Sequence, residues 1–256
     1  MLFVKEDSIV RKIWGAGDYI LFIFAGSAAE FALNKAVDWL YFTGRLPADP
    51  IGRLFSTVSY SKQIIFSSEE GALAAIEKIN NIHAGVERGR HQQIPDWAYR
   101  DVLFMLIDYS IKSFELLSHP LTTAEKEEVF EVFYRVGKHM QLKDLPLNYN
   151  EWLKMRNEHL QNDLQCSKYT LDLYRQYKKS LGLVRFFILK QVQIMIVPAF
   201  VRKMLGLSNI AVLQPFFYIY KFTRKIFIGK FFKSALLPVK YKTQIQALDV
   251  AKTITD

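Results

Sequence analysis

Asp49-Pro50-Ile51-Gly52-Arg53-Leu54-Phe55-Ser56-Thr57 opens the stretch from which the fold is read, and Asn81-Ile82-His83-Ala84-Gly85-Val86-Glu87-Arg88-Gly89 closes it. Between the two lies an apolar segment, predicted to be extended, and then a helix over residues 68–88. Ser67 or Ser68 can cap that helix, Glu69 and Glu70 favour its first turn, and Gly89 is the expected stop. Ala72, Ile76, Ile79 and Val86 fall on one face, and His83 lies in the same stripe, so its imidazole is predicted to point inward. On spacing alone, an inward histidine is more often a hydrogen-bonded core residue than a ligand. Arg53 and Thr57 are four apart and share a face if the segment is helical; the plain reading is a surface turn after Asp49-Pro50.

The same periodicity extends outward in both directions. Tyr19 to Ala29 is apolar enough to imitate a signal-peptide core, but Glu6, Asp7 and Asp18 precede it and an amphipathic pattern follows through Phe31, Leu33, Val37 and Leu40. A buried first helix is the better expectation, broken by a loop over 44–50. Trp97 to Leu117 reads as a long helix ended by His119-Pro120. Thr122-Thr123-Ala124-Glu125 is a capping box for a helix reaching Met140. Asn150 is the expected cap of a helix over Glu151–Leu164, and a helix over Ser167–Ser180 is closed by Gly182. No strand-like alternation recurs, so the fold class is all-α: a single helical domain with a basic, aromatic C-terminal extension. The domain is expected over 1–207 and the extension over 208–256.

Composition restricts the partners. The 256 residues include 20 Phe and 13 Tyr, and the net charge of +9 is unevenly placed. From Leu173 to Leu248 there is no Asp or Glu, yet there are fourteen Lys and Arg. Over 183–242, and most densely from Pro215 to Phe232, aromatic side chains interleave with Lys221, Arg224, Lys225 and Lys230. Rings at headgroup level and cations against anionic lipid make this a candidate membrane surface. A helix packed on the core with a solvated basic face is the other reading. Nucleic acid ranks last, because the aromatics are dense and mostly Phe, and no nucleic-acid partner is expected. The single cysteine, Cys166, excludes an intramolecular disulfide and suits a reducing compartment, hence a cytoplasmic, peripheral-membrane location. Cys166 is expected to be a buried, inert thiol. The sequence lacks the Cys-x-x-Cys-His of covalent haem attachment and a phosphate-binding glycine loop.

Arg53-x-x-x-Thr57 after Asp49-Pro50, followed by Ile82-His83-x-x-Val86-x-x-Gly89, resembles the oxygenase family of the latex clearing protein (rubber oxygenase) and MpaB. Further likeness lies in Asp18 to Phe22, Gly26 to Ala29, Pro120-Leu121-Thr122 with Glu125, and Val201 to Leu207. The resemblance implies a globin-like helical core that binds haem b. His83 would be the proximal iron ligand, Arg53 and Thr57 would line or support the pocket, and molecular oxygen would react with a hydrophobic small molecule. A neutral imidazole on an apolar face can hold haem iron, and a guanidinium can pair with a propionate. Two departures matter. Rubber-cleaving members can place a lysine inside the Arg-x-x-x-Thr motif, where this chain has Leu54, Phe55 and Ser56, and many bacterial members carry His-Pro where it has Asn34-Lys35. They leave open a non-catalytic, membrane-associated or haem-binding protein that kept the fold. Asp38 and Glu30 lie where a catalytic base could be sought, with a solvated or helix-pairing role the plainer reading. His119, His139 and His159 carry no recognised ligand spacing.

Overall fold

Local signals set most helix ends in the computed structural model, which describes residues 1–223, 238–241, 243–244 and 247–249. The chain folds into a single all-α domain, and no strand occurs among the described residues. The helices are α1 (Ile9–Trp14), α2 (Gly17–Phe31), α3 (Val37–Phe42), α4 (Arg45–Ala48), α5 (Pro50–Phe66) and α6 (Glu69–Arg90). They continue with α7 (Asp96–Leu117), α8 (Thr123–His139), α9 (Tyr149–Asn162), α10 (Lys168–Ile196), α11 (Ala199–Met204) and α12 (Gln214–Thr223). The C-terminal stretch predicted from Pro215 to Phe232 is helical as far as Thr223, and its remainder lies outside the described residues.

The stretch that decides the fold is a helical hairpin. Asp49 caps α5 by accepting from the Gly52 amide at 3.2 Å, and Pro50 takes the first-turn position that needs no amide donor. The apolar run after Thr57 is therefore helical through Phe66, not extended, since a capped and Pro-initiated helix meets no breaker before Ser67. Ser68 then caps α6 through the Gly71 amide at 3.2 Å. Gly89 does not stop α6; His91 does, in a left-handed conformation with φ of 54°. Two other boundaries differ from expectation. Asn148, not Asn150, caps α9, accepting from the Glu151 amide at 2.9 Å, and the expected loop over 44–50 contains the short helix α4. The capping box at Thr122 and Glu125 opens α8 as predicted. Gly182, at φ 74° and ψ 173°, breaks α10 into two helical halves, the one position in that run where the left-handed region is required.

The core is organised around α2, which packs along α7 and also against α10. Nearly all of α2 is buried, so its apolar character reflects burial on every side. Trp14 from α1 donates its indole N–H to Ser110 of α7 at 3.1 Å, and Gln193 of α10 donates to the Ala25 carbonyl at 3.1 Å. Tyr241 stacks on Phe55 and donates to Asp49, Leu248 is fully buried, and Asp249 accepts from the Gly17 amide at 2.8 Å at the start of α2. Close approach of α2 and α7 depends on Gly26, where a Cβ would overlap the Tyr109 ring. Gly26→Ala should lower the urea unfolding midpoint, at a cost of about 1–3 kcal/mol from overpacking. An unchanged midpoint would mean that the two helices can separate freely.

Candidate functional site

The hairpin brings the Arg53 and His83 positions to the same level. Each lies about 14 or 15 residues from the turn between α5 and α6, which at 1.5 Å per residue is roughly 21 Å along either helix. His83 is half-buried, and its ring packs on Tyr99 of α7 with centroids 5.0 Å apart. Its Nδ1 is buried and makes no hydrogen bond among the described residues. Burial, reinforced by the Arg53 charge and opposed by Glu87, pushes the His83 pKa down to about 4, so the ring is neutral near pH 7. The histidine thus points inward as predicted, but without the satisfied hydrogen bond of an ordinary core residue. Thr57 donates to the Arg53 carbonyl at 3.4 Å, and Arg53 donates to Ser56 at 3.4 Å, so motif side chains tie the first turns of α5 together. Beside this region Arg90 lies over the Trp39 ring at 4.1 Å and pairs with Asp38 at 2.6 Å. Asp38 therefore has the helix-pairing role.

A second constellation was not read from the sequence. Glu30 on α2, Asp101, Asp108 and Tyr109 on α7, and Arg156 and His159 on α9 converge in the core. Glu30 is fully buried, and Arg156 and His159 are each 3% exposed. Arg156 grips Glu30 with both terminal nitrogens, Nη2 to Oε2 at 2.6 Å, and reaches Asp108 from Nη2 at 2.8 Å and from Nε at 3.1 Å. Tyr109 donates to Glu30 at 2.8 Å, and Lys112 donates to Asp108 at 2.8 Å. His159 faces Glu30 through Nε2 at 3.2 Å, and through Nδ1 it faces Asp101 at 2.6 Å and Asp163 at 3.4 Å. Asn34 donates to Asp101 at 3.3 Å.

The electrostatics of this cluster follow from its contacts. Burial alone would raise the Glu30 carboxyl, but the Arg156 charge and hydrogen bonds, helped by His159, hold it well below the usual carboxylate range. Burial opposes charge on His159, yet hydrogen bonds to Asp101 and Glu30 raise it to about 9. Burial and neighbouring Asp163 push Asp101 up, against its bonds from His159 and Asn34. Glu30 is thus paired across helices and not solvated. The signal that could have revealed the cluster is an acid inside an otherwise apolar helix, which demands a buried partner. Arg156 and His159, three apart on α9, and Asp101 and Asp108, seven apart on α7, supply it. Of the other predicted sites, His119 contacts the Pro120 carbonyl at 3.0 Å and Phe114 edge-on, His139 ends α8, and Cys166 is exposed, contrary to the buried thiol expected.

A family model described as ER-bound oxygenase mpaB/B'/Rubber oxygenase, catalytic domain, matches residues 14–221. The chain belongs to this family. No curated protein and no solved structure matches it, so the globin-like part of the fold expectation rests on the family resemblance alone. The mpaB and rubber-oxygenase match spans α2 through most of α12 and includes both the hairpin and the buried cluster.

His159 gives the cluster a measurable pH signature. Its folded-state pKa lies above the ordinary 6.5, so its contribution is complete below pH 6.5 and is lost as pH rises through about 9. The urea midpoint of the wild-type protein should fall across that window, and His159→Gln should flatten the fall while lowering the midpoint at pH 6.5. An equal alkaline slope in both proteins would assign the loss to other groups.

Proposed function

We propose that this protein is a haem b-dependent oxygenase acting on a hydrophobic small molecule, with His83 as the iron ligand. The observation that carries the reading is a half-buried, neutral imidazole whose buried Nδ1 has no partner among the described residues, set at the level of Arg53 in a family named for oxygenases. An orphaned buried nitrogen costs about 1–3 kcal/mol, and donating its lone pair to a metal offsets that cost. Haem b would supply a redox-active iron for chemistry with molecular oxygen. Burial and the Arg53 charge keep the imidazole deprotonated and so able to ligate across the neutral pH range. Arg53 carries the positive charge that a porphyrin propionate or another anion would meet, and Thr57 steadies the turn of α5 that presents it. Buried Phe55 and Val58 on α5, with Ala72, Ala75 and Ile76 on α6, keep water out of the hairpin interior. Chain purified with haemin supplied should show a Soret band that is absent in His83→Ala and weakened several-fold in affinity in Arg53→Gln. A colourless protein with no affinity for haemin would overturn the reading.

The substrate's hydrophobic character goes with a second part of the proposal, peripheral attachment to an anionic membrane surface. No helix among the described residues is long and apolar enough to cross a membrane. Nine of the sixteen exposed large hydrophobic residues among those described nevertheless fall within 183–219, including Leu183 at 71% and Val184 at 73% exposure, then Phe187, Phe216 and Ile219. They lie in the acid-free, lysine- and arginine-rich segment, the combination that a headgroup layer of opposite charge accommodates. Truncating the C-terminal region is not a clean test, because Tyr241 and Leu248 are part of the core. Replacing Leu183, Val184 and Phe187 together by Gln is cleaner. Wild type should sediment with phosphatidylserine vesicles in a salt-sensitive way and ignore phosphatidylcholine alone. The triple variant should partition at least about tenfold less, each side chain contributing on the order of 1 kcal/mol. Equal recovery of both proteins would remove the membrane from the proposal.

A further inference from the structure

Two carboxylates at the buried cluster have no Lys or Arg partner among the described residues. Arg156 balances Glu30, and Lys112 balances Asp108. Asp101 and Asp163 remain, both converging on the single Nδ1 of His159, at 2.6 and 3.4 Å. Glu30, held ionised by Arg156, can only accept, so Nε2 of His159 donates to it at 3.2 Å. That contact turns Nδ1 toward two carboxylates, and one N–H cannot satisfy both. A cation between the three atoms would.

We propose that Asp101, His159 and Asp163 form a binding site for a divalent transition-metal ion such as Zn2+, separate from the His83 region. One oxygen of each carboxylate and Nδ1 of His159 lie within 4.8 Å of one another; Asp101 sits in the second turn of α7, His159 in the last turn of α9 and Asp163 at its C-cap. One nitrogen and two carboxylate oxygens are a donor set that zinc takes, leaving a fourth position for water or a substrate atom. The Nε2–H bond to Glu30 is the outer-shell contact typical of a metal-bound histidine, and Asn34 on Asp101 is another. Asp163 is 28% exposed on its side chain and gives the ion a route from solvent, while Asp101 and His159 are buried. Charge also fits: once the ion displaces the Nδ1 proton of His159, two carboxylates face one dication. Tetrahedral ligands on bonds of about 2.0–2.1 Å stand about 3.3 Å apart. The His159–Asp163 distance already suits this, and the Asp101 carboxylate needs to withdraw by about 0.7 Å, a small rotation of one short side chain.

This inference does not depend on haem binding. The test uses the 256-residue chain stripped with a chelator and titrated with Zn2+ by calorimetry and with Co2+ by visible absorption. One equivalent should bind, Co2+ should give the d–d bands of a low-symmetry site, and Zn2+ should raise the melting temperature. Asp163→Asn, at the partly exposed ligand, should fold normally by circular dichroism yet lose at least tenfold in affinity and the thermal shift. His83→Ala should keep both. No binding to the stripped wild type, binding undiminished in Asp163→Asn, or binding lost in His83→Ala would each overturn the site.

Discussion

A guanidinium cannot be left unpaired in a helical core, and Arg156 is paired from two sides, by Glu30 of α2 and Asp108 of α7. Isolated charges of this kind cost several kcal/mol each after relaxation, and removing one partner from a buried pair typically costs about 3–5 kcal/mol. The three helices that carry the groups must therefore meet at one fixed register. α2 and α7 are drawn together until Gly26 lies against Tyr109, whose hydroxyl in turn bonds Glu30. Such a network need not add net stability over apolar packing, but it penalises any other alignment of α2, α7 and α9.

The hairpin of α5 and α6 is held against this frame, and its chemistry is of the opposite kind. In the central cluster Arg156, Glu30 and Asp108 satisfy one another, while Asp101 and Asp163 share the Nδ1 of His159. Around His83, burial and the Arg53 charge keep a base neutral, and its Nδ1 has no hydrogen-bond partner among the described residues. At Arg156 the charges close on one another, whereas at His83 a base is chemically available. That contrast supports assigning the haem ligand to the hairpin even though the more heavily charged cluster is the more conspicuous feature.

Much of the fold is legible in the sequence where a boundary is set locally. The capping box at Thr122, the cap at Ser68 and the break at Gly182 need only neighbouring residues to act. Asp49-Pro50 is equally local, yet reading the run behind it as extended missed that Pro at a first helical position starts a helix as readily as it marks a turn. The end of α6 was misplaced because Gly89 can be held within a helix, while His91 takes the left-handed turn. For the site, the inward face of His83 follows from periodicity, but its missing hydrogen bond does not, since that depends on what α7 brings opposite. The buried cluster was illegible for the same reason. Glu30 lies 126 residues from Arg156, and nothing in either local pattern names the other.

The cap on α2 has an implication for how the molecule assembles. The amide of Gly17 is satisfied by Asp249, 232 positions later in the chain, and Lys62 is anchored on the carbonyls of Ala247 and Leu248. As the polypeptide leaves the ribosome, the helix at the centre of the domain must wait for almost the whole of the sequence before its first turn is sealed. Closing so wide a loop comes late and slows the final step of folding. Until then the Gly17 amide has only water to bond, so the start of α2 is free to fray while α7 and α10 already cover its length.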